Sequence, residues 1–156
     1  MLEIRKSKIG GRGLFTIDKI NKNQKVLRFT DKIILINHKA GCDCEICCRC
    51  INFRDNLWLY PKKNSCGYYI NHSCNPNCFS KGKFIYAIKN IKSNEEITID
   101  YSTTTIDKKW KMKCCCKSKN CRKTIRSIQY LPKSLFKKYE NFMQVFIRDN
   151  YYQSKK

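Results

Sequence analysis

The twelve cysteines in 156 residues are the feature that most limits how this chain can fold. Nine of them fall in two tight clusters, at residues 42–50 and 114–121. Neighbouring thiols such as Cys114, Cys115 and Cys116 cannot all find disulfide partners easily, but alternate ones can converge on a metal. Residues 1–6 lack the apolar stretch of a signal peptide. We therefore expect zinc ligation in a reducing, intracellular compartment, and not a disulfide framework.

The composition is that of a single folded domain with a strongly basic surface. Hydrophobic residues make up 42% of the chain, and no apolar run approaches a membrane span, so no membrane association is expected. Lys and Arg number 33 against 12 Asp and Glu, which gives a formal net charge of +21. That charge predicts binding to polyanions such as nucleic acid, weakened by salt. A coding bias toward lysine and asparagine would give the same composition on a merely solvated surface.

Short strands separated by turns are predicted for most of the chain. Residues rich in β-branched and aromatic side chains lie at 14–17, 26–29, 33–36, 84–88 and 96–101. A weak internal repeat relates residues 20–24 to residues 91–95, and we expect an Asn in each to adopt a left-handed backbone conformation. The fold class predicted from these features is mostly β.

The C-terminal segment has the spacing of an amphipathic helix instead. Pro132 suits a first helical turn. Apolar residues then recur at helical intervals, namely at Leu135, Phe136, Tyr139, Phe142, Met143, Phe146 and Ile147. One helix packed against the domain is the main expectation, and a docking helix or homodimer contact is the alternative.

Three separated segments carry the chemistry. The turn Gly11-Arg12-Gly13 is common by itself and is weak evidence. The run at residues 71–77 is more specific, because it gathers three asparagines, a histidine and a thiol around a proline: Asn71-His72-Ser73-Cys74-Asn75-Pro76-Asn77. Plain core loops have no reason to hold so many polar groups. The third segment is Glu95-Glu96-Ile97-Thr98-Ile99-Asp100-Tyr101.

In their order and separation these segments resemble the SET-domain methyltransferases, and Cys114-x-Cys116-x-x-x-x-Cys121-Arg122 resembles the post-SET signature of that family. The resemblance implies a SET fold of short twisted sheets around a knot-like core. It divides the chain into a SET domain at 1–112, with a variable cysteine-rich insertion at about 37–66, a post-SET zinc segment at 113–126, and a C-terminal helix with a basic tail at 127–156. The tail resembles that of small stand-alone bacterial or viral members.

The resemblance also implies roles for individual residues. S-adenosylmethionine would be bound by the glycine turn, by residues in and just before the 71–77 run, and by the catalytic residue. These cofactor-binding residues are Gly11, Arg12, Gly13, Tyr69, Asn71, His72 and Tyr101. Tyr101 would be catalytic, at a substrate channel shared with Ile99. The substrate would be a lysine of a histone or another basic protein. Because Ile99 has no hydroxyl to hold a water beside the amine, we expect di- or trimethylation.

Zinc ligation by Cys74, Cys114, Cys116 and Cys121 follows from the same resemblance, with Cys115 as a bystander. The 42–50 cluster is outside the family pattern. A second zinc there would be held most simply by Cys42, Cys44, Cys47 and Cys50, with Cys66 or Cys78 as substitutes for one of them. In the alternative interpretation, Cys48 and Cys50 are small apolar strand residues.

Two other function classes compete with the enzyme. The first is a catalytically idle SET module that binds nucleic acid or chromatin through its charge and zinc. The second is a metal- or redox-responsive cysteine protein. Lys123 replaces a family glycine after the last cysteine and is expected to disturb the turn there. If histones are the substrate, the protein acts in a nucleus, of its own cell or of a host.

Overall fold

The computed structural model describes residues 1–35, 50–54 and 56–156, and its regular structure is mainly short strands. Each strand is two to five residues long. In chain order the strands of the described residues are β1 (Leu2–Lys6), β2 (Arg12–Thr16), β3 (Lys25–Arg28), β4 (Ile33–Leu35), β5 (Ile51–Arg54), β6 (Leu57–Leu59), β7 (Asn71–His72), β8 (Cys78–Lys81), β9 (Phe84–Ala87), β10 (Thr98–Ile99), β11 (Lys111–Lys113) and β12 (Thr124–Arg126). This architecture confirms the mostly β prediction.

The strands form small separate sheets instead of one continuous layer. Strands β1 and β2 pair antiparallel, as do β11 and β12. Two sheets have three antiparallel strands, in the orders β3-β9-β8 and β4-β6-β5. The exception is the parallel pair of β7 and β10, which sets Asn71 opposite Thr98 and His72 opposite Ile99. That pair brings together two of the three segments that the sequence singled out.

The repeated turns at residues 20–24 and 91–95 have the predicted left-handed Asn, with φ of 69° at Asn23 and 62° at Asn94. Ile20 and Ile91 form a bridge between the two turns. The amide of Asn23 donates to the carbonyl of Ala87 at 2.8 Å, and the amide of Asn94 donates to that of Thr16 at 2.8 Å. Ala87 ends the strand before the second turn, and Thr16 ends the strand before the first. Each turn is therefore anchored on the strand that precedes the other.

Apolar packing falls into three clusters. The largest joins the small sheets around Leu14, Phe29, Leu59, Ile85, Ile97 and Ile99. A second cluster seats the C-terminal segment against Phe79, with Phe136 and Ile147 fully buried. The third combines Ile125 with three buried cysteines, Cys74, Cys114 and Cys116. The cysteine cluster is thus part of the interior and not a surface appendage.

The C-terminal apolar pattern forms two helices where the sequence predicted one. Helix α1 (Lys133–Tyr139) and helix α2 (Val145–Gln153) are separated by a 3₁₀ turn, Glu140–Phe142, and by extended backbone at Met143. The break allows Phe136 to stack on Tyr151 with ring centroids 3.7 Å apart. In one straight helix these residues would lie about 22 Å apart, so tertiary packing decides against continuity. Neither helix, nor any other in the described part of the chain, has the length and apolar character needed to cross a bilayer.

The strand expected over residues 96–101 is shorter than predicted. The strand comprises only Thr98–Ile99, with an isolated bridge at Glu96, and Tyr101–Thr103 forms a 3₁₀ helix. The side chain of Asp100 accepts a hydrogen bond from the amide of Ser102 at 3.0 Å, which stabilises the start of that helix. Of the second proposed zinc cluster, Cys42, Cys44 and Cys47 lie outside the described residues, and Cys50 is buried.

Candidate functional site

A cavity of about 470 Å³ lies where the β7–β10 pair meets the 3₁₀ helices Cys66–Tyr69 and Tyr101–Thr103 and strand β11. Its volume is within the usual range of small-molecule sites. The wall combines glycines, aromatic rings and polar groups: Ile9, Gly10, Cys50, Ile51, Gly67, Tyr68, Ile70, Asn71, His72, Ile99, Tyr101, Thr104, Thr105, Trp110, Met112, Lys113, Cys115 and Cys116. Three residues predicted to bind cofactor, Asn71, His72 and Tyr101, are among them.

Side-chain hydrogen bonds join the 71–77 loop to the 95–101 segment. The amide nitrogen of Asn77 donates to the backbone carbonyl of Glu96 at 2.7 Å and to a carboxylate oxygen of Glu95 at 3.0 Å. Its amide oxygen accepts from the backbone of Thr98 at 2.9 Å. Since Asn77 is buried, these bonds fix the relative position of the two segments.

The glycine turn is attached to the same assembly through Asn71. The Asn71 Nδ2 donates to the carbonyl of Arg12 at 3.1 Å and to Oε1 of Glu96 at 2.7 Å. A Cβ at Gly13 would overlap the Glu96 carboxylate, so only glycine permits this contact. Gly11 has a φ of 53°, in the left-handed region that favours glycine. Both glycines thus serve the backbone path, while Gly10 beside them lines the cavity.

Tyr101 is held by its hydroxyl and by its backbone. The phenol donates to the carbonyl of Ile70 at 2.7 Å. The amide of Tyr101 donates to Nδ1 of His72 at 3.2 Å, and the two rings lie 5.5 Å apart. With its proton directed to Ile70, the phenolic oxygen keeps acceptor capacity. Ile99, the other predicted channel residue, lines the same cavity and is 2% exposed.

His72 connects Tyr101 to the cysteines. Burial lowers its pKa to about 4, an effect that the charge of Asp100 opposes and that of Arg122 reinforces. The imidazole is therefore neutral at pH 7, and because Nδ1 accepts from Tyr101, its single proton is assigned to Nε2. That Nε2 lies 3.2 Å from Sγ of Cys74 and donates to it.

Several soft donor groups converge at one point next to the cavity. Ligand atoms of His72, Cys74, Cys114 and Cys116 all lie within 4.8 Å of one another. The Sγ atoms of Cys74 and Cys114 are 3.7 Å apart. A tetrahedral zinc site with bonds of about 2.3 Å would separate two thiolates by about 3.8 Å. Cys121 is adjacent, with its Sγ 3.7 Å from the carbonyl oxygen of Cys114. This donor set fits zinc.

The thiols of this cluster differ in acidity. Burial raises the pKa of Cys74, and it also raises the pKa of Cys114. At Cys116 burial acts in the same direction, but hydrogen bonds from Ser118 and from the Cys74 backbone outweigh it and lower the pKa to about 6. The pKa of Cys116 is thus shifted in the direction that favours the thiolate, the form of cysteine that binds metal.

Arg122, which the sequence analysis named only as part of the post-SET signature, contacts three polar groups of the site. Its guanidinium donates to Sγ of Cys74 at 3.3 Å, to Oγ of Ser102 at 3.2 Å and to Oδ1 of Asp100 at 2.6 Å. The Asp100 side chain is fully buried. A carboxylate within the mainly apolar 97–101 run needs a cationic partner when it is buried. That requirement could have indicated from the sequence that Asp100 pairs with an arginine or a lysine.

Other predicted site residues lie outside the cavity wall. Tyr69 turns its hydroxyl to the carbonyl of Lys63 at 2.9 Å, and its ring lies 5.1 Å from the guanidinium carbon of Arg12. The adjacent Tyr68 lines the cavity instead. Cys78 belongs to the main apolar cluster. Cys115, the predicted bystander, is exposed but does line the cavity.

Comparisons with known proteins agree on the family. The model of the SET domain matches residues 11–102. A Plasmodium falciparum protein described as a candidate histone-lysine N-methyltransferase 1 is 31% identical over 135 residues, 77% of this chain and 2% of that protein. Human histone-lysine N-methyltransferase SETD1B is 32% identical over 139 residues, 80% of this chain and 7% of that protein. The chain therefore spans less than a tenth of the length of these curated relatives.

A solved structure supports the same conclusion. It is that of a Plasmodium falciparum protein described as a candidate histone methyltransferase, with a TM-score of 0.51 and 26% sequence identity. The match covers 65% of this chain and 96% of the other. Because the SET model also covers more than half of the sequence, the chain belongs to the SET-domain family.

Proposed function

We propose that this chain transfers methyl groups from S-adenosylmethionine to the ε-amine of lysine in a histone or another basic protein. The observation that carries the proposal is Tyr101, whose anchored hydroxyl lies in the wall of a cavity of about 470 Å³ beside Asn71 and His72. Relatives named as histone-lysine methyltransferases support the substrate class. A histone substrate would place the reaction in a nucleus, of its own cell or of a host.

The cavity wall suits the cofactor. S-adenosylmethionine, when bound, supplies the reactive methyl group and a positive sulfonium. Within the described part of the chain, the Asn71 amide oxygen accepts no hydrogen bond, so it can accept one from the cofactor's ammonium. A Cβ at Gly10 would meet no protein atom within 4 Å, which leaves that side of the cavity open. Asn71, His72 and the turn at Gly10 would hold the cofactor.

The residues around Tyr101 suit a lysine side chain that must react as a neutral amine. Free lysine has a pKa of about 10.4, so its proton must leave before attack. Burial among apolar groups such as Ile99 favours the neutral amine. The Tyr101 oxygen can accept a hydrogen bond from that amine and orient it, and alignment supplies most of the rate gain in such a transfer.

We propose zinc as a structural ion bound by Cys74, Cys114, Cys116 and Cys121. A ring nitrogen of His72 lies closer to the sulfurs of Cys74, Cys114 and Cys116 than the sulfur of Cys121 does. However, Nε2 of His72 carries the proton, and Nδ1 accepts a hydrogen bond from the amide of Tyr101. Neither nitrogen has a free lone pair for a metal, so Cys121 is the better fourth ligand. The metal would join residues 113–126 to the 71–77 loop; structural zinc contributes about 10–16 kcal/mol in small zinc-finger peptides.

The test is transfer of a labelled methyl group to core histones and to free histone peptides. We expect the wild type to label histone lysine and Tyr101→Phe to lose at least about 100-fold of that activity, a typical cost of removing one positioned polar group. Tyr86→Phe on strand β9, away from the cavity wall, is the matched control and should retain activity. Cofactor binding without labelling of any histone would refute the histone substrate. Failure to bind the cofactor would favour the idle module instead.

A further inference from the structure

The hairpin of β11 and β12 has two chemically different faces. Lys111 pairs with Arg126 and Lys113 pairs with Thr124, and all four side chains are exposed. We call these four residues the basic face. On the opposite side of the hairpin, Met112 pairs with the buried Ile125 and packs against the cysteine cluster.

Acidic residues are missing from the whole segment that contains this hairpin. Between Asp107 and Glu140 the chain has twelve Lys or Arg and no Asp or Glu. Asp107 itself uses a carboxylate oxygen to accept the backbone amide of Lys109. Within residues 1–35, 50–54 and 56–156, none of Lys111, Lys113 and Arg126 makes an ion pair. The positive charge of the face is therefore uncompensated.

The arrangement costs stability unless an anion binds there. Lys111 and Arg126 are directly opposite each other, and like charges at such positions destabilise a strand pair. The guanidinium carbon of Arg126 lies over the Tyr130 ring, 3.4 Å from its centroid, and this contact limits the motion of the Arg126 side chain. A planar guanidinium held this way matches the oxygens of a phosphate group.

The basic face also adjoins the cavity. Met112 and Lys113 of β11 are part of the cavity wall. A bare basic rim would repel a basic protein tail approaching the cavity, whereas a polyanion on the face would neutralise it.

We propose that the basic face binds the phosphate backbone of nucleic acid, and that the substrate lysine is methylated while its protein is held on that nucleic acid. The second part rests on the proposed function, and the first part does not. An anionic lipid surface fits less well, because binding to it also uses apolar side chains that insert. Of the large exposed apolar residues in the described part of the chain, only Tyr130 adjoins the face, and Arg126 covers it.

Binding is measured by fluorescence anisotropy with a labelled DNA duplex over a range of salt concentrations. The test variant is Lys111→Gln/Arg126→Gln, and the matched control is Lys22→Gln/Lys92→Gln, two exposed lysines in the turns at 20–24 and 91–95. Both variants remove two positive charges. We expect the test variant to lose at least about tenfold in affinity and to reduce the slope of log K against log salt by about 2, since each phosphate contact contributes about 0.9. The control should lose less than about threefold with a nearly unchanged slope.

Three outcomes would overturn the proposal. In the first, the wild type does not bind duplex. In the second, both variants lose affinity equally, which would mean that binding is spread over the whole +21 surface. In the third, vesicles containing anionic lipid compete with the duplex at equal phosphate concentration, which would assign the face to a membrane. Unchanged zinc content and thermal unfolding show that the variants are folded.

A methylation assay separates this inference from the proposed function. We expect the wild type to prefer histones assembled on DNA over free histone peptide. The test variant should lose that preference, while its rate on free peptide is retained or increased because the rim repels a basic peptide less. If DNA binding depends on the basic face but no methyl transfer occurs, the proposed enzymatic function is refuted and the DNA-binding role of the face is supported. If the wild type and the test variant prefer DNA-assembled histones over free peptide to the same extent, the basic face has no role in presenting the substrate.

Discussion

The guanidinium of Arg122 donates to the carboxylate of Asp100 at 2.6 Å, and both groups are largely removed from solvent. Arg122 follows a proposed zinc ligand, and Asp100 precedes the proposed catalytic Tyr101. The same guanidinium donates to Cys74, a second proposed ligand. The cysteine cluster and the start of the Tyr101–Thr103 helix are therefore mechanically joined through one side chain.

Replacing Arg122 by Met should lower the free energy of unfolding by about 3 kcal/mol, because it leaves the Asp100 carboxylate buried without its cation. Urea denaturation in saturating zinc measures this. Adding Asp100→Asn to Arg122→Met should cost less than the sum of the single changes, since the pair is coupled. Strict additivity would show that the contact has no energetic role.

Changing Cys121 to Ser should reduce the zinc content by about one ion per chain, whereas Cys115→Ser should leave it unchanged because that thiol is exposed. Elemental analysis under reducing conditions makes the comparison. His72→Gln serves as a third variant and should keep its zinc. If His72→Gln loses zinc and Cys121→Ser retains it, His72 is the fourth zinc ligand and Cys121 is not. A wild-type ratio of two ions per chain would support the second site at Cys42, Cys44, Cys47 and Cys50.

Ile99→Tyr should shift the products toward monomethyllysine. Ile99 is buried in the cavity wall beside Tyr101. A phenol there adds volume and a hydroxyl that can hold a water beside the amine, which leaves less room for an amine that already bears methyl groups. Mass spectrometry of the methylated peptide should show di- or trimethyl product for the wild type. Monomethyl product alone from the wild type would contradict the prediction.

Lys123→Gly should raise the free energy of unfolding by a few tenths to about 1 kcal/mol. Lys123 has a φ of 63°, and a left-handed conformation costs a residue with a Cβ about 1–2 kcal/mol. Part of the gain is offset by the greater freedom of glycine in the unfolded chain. Lys119→Gly, two residues before Cys121, is the control and should be destabilising. If both glycine variants change the free energy of unfolding in the same direction, the left-handed backbone at Lys123 is not strained.

Cys78 should resist alkylation in the folded protein and should make stability depend on alkaline pH. Burial, with a smaller contribution from Glu95, raises its pKa from 9.0 to about 12. The folded state therefore keeps the proton that the unfolded state loses above pH 9, so the stability from this thiol is present below pH 9 and is lost as the pH rises toward 12. The difference in unfolding free energy between wild type and Cys78→Ala should shrink over that range by up to about 1.4 kcal/mol per pH unit. Rapid iodoacetamide labelling of Cys78 before Cys115 at pH 8 would refute the prediction.

Of the twelve strands in the described residues, the sequence singled out β2, β3, β4, β9 and a longer β10, and residue 36 of the 33–36 prediction lies outside the described residues. These strands and the left-handed asparagines were predicted from local signals. Both depend on side-chain chemistry within a few residues, as at Asn23 and Asn94, where a short polar side chain tolerates positive φ. The convergence of Asn71 with the 95–101 segment was implied by the family resemblance, since no local pattern contains it. The cofactor, catalytic and metal-ligand roles of all the predicted site residues, the domain boundaries and the homodimer remain predictions.

Long-range contacts account for what the sequence did not predict. The break between α1 and α2 depends on the stacking of Phe136 on Tyr151, which only a folded chain brings together. The short 3₁₀ helix at Tyr101 likewise depends on Asp100, whose partner Arg122 is 22 residues further along the chain. Such pairings are decided by tertiary geometry and override the propensity of the local segment.

Each of the two asparagine turns is hydrogen-bonded to the strand that precedes the other turn, and this has a consequence for synthesis on the ribosome. The amide of Asn23 has its backbone acceptor only once Ala87 emerges, and the amide of Thr16 has its acceptor only once Glu95 emerges. Strands β1 and β2 can pair with each other as soon as both have emerged, but at about 5–20 residues per second the turn at 20–24 and strand β3 wait several seconds for β9. We therefore expect the turn at 20–24 and strand β3 to stay unpaired until the second turn, at 91–95, has been made.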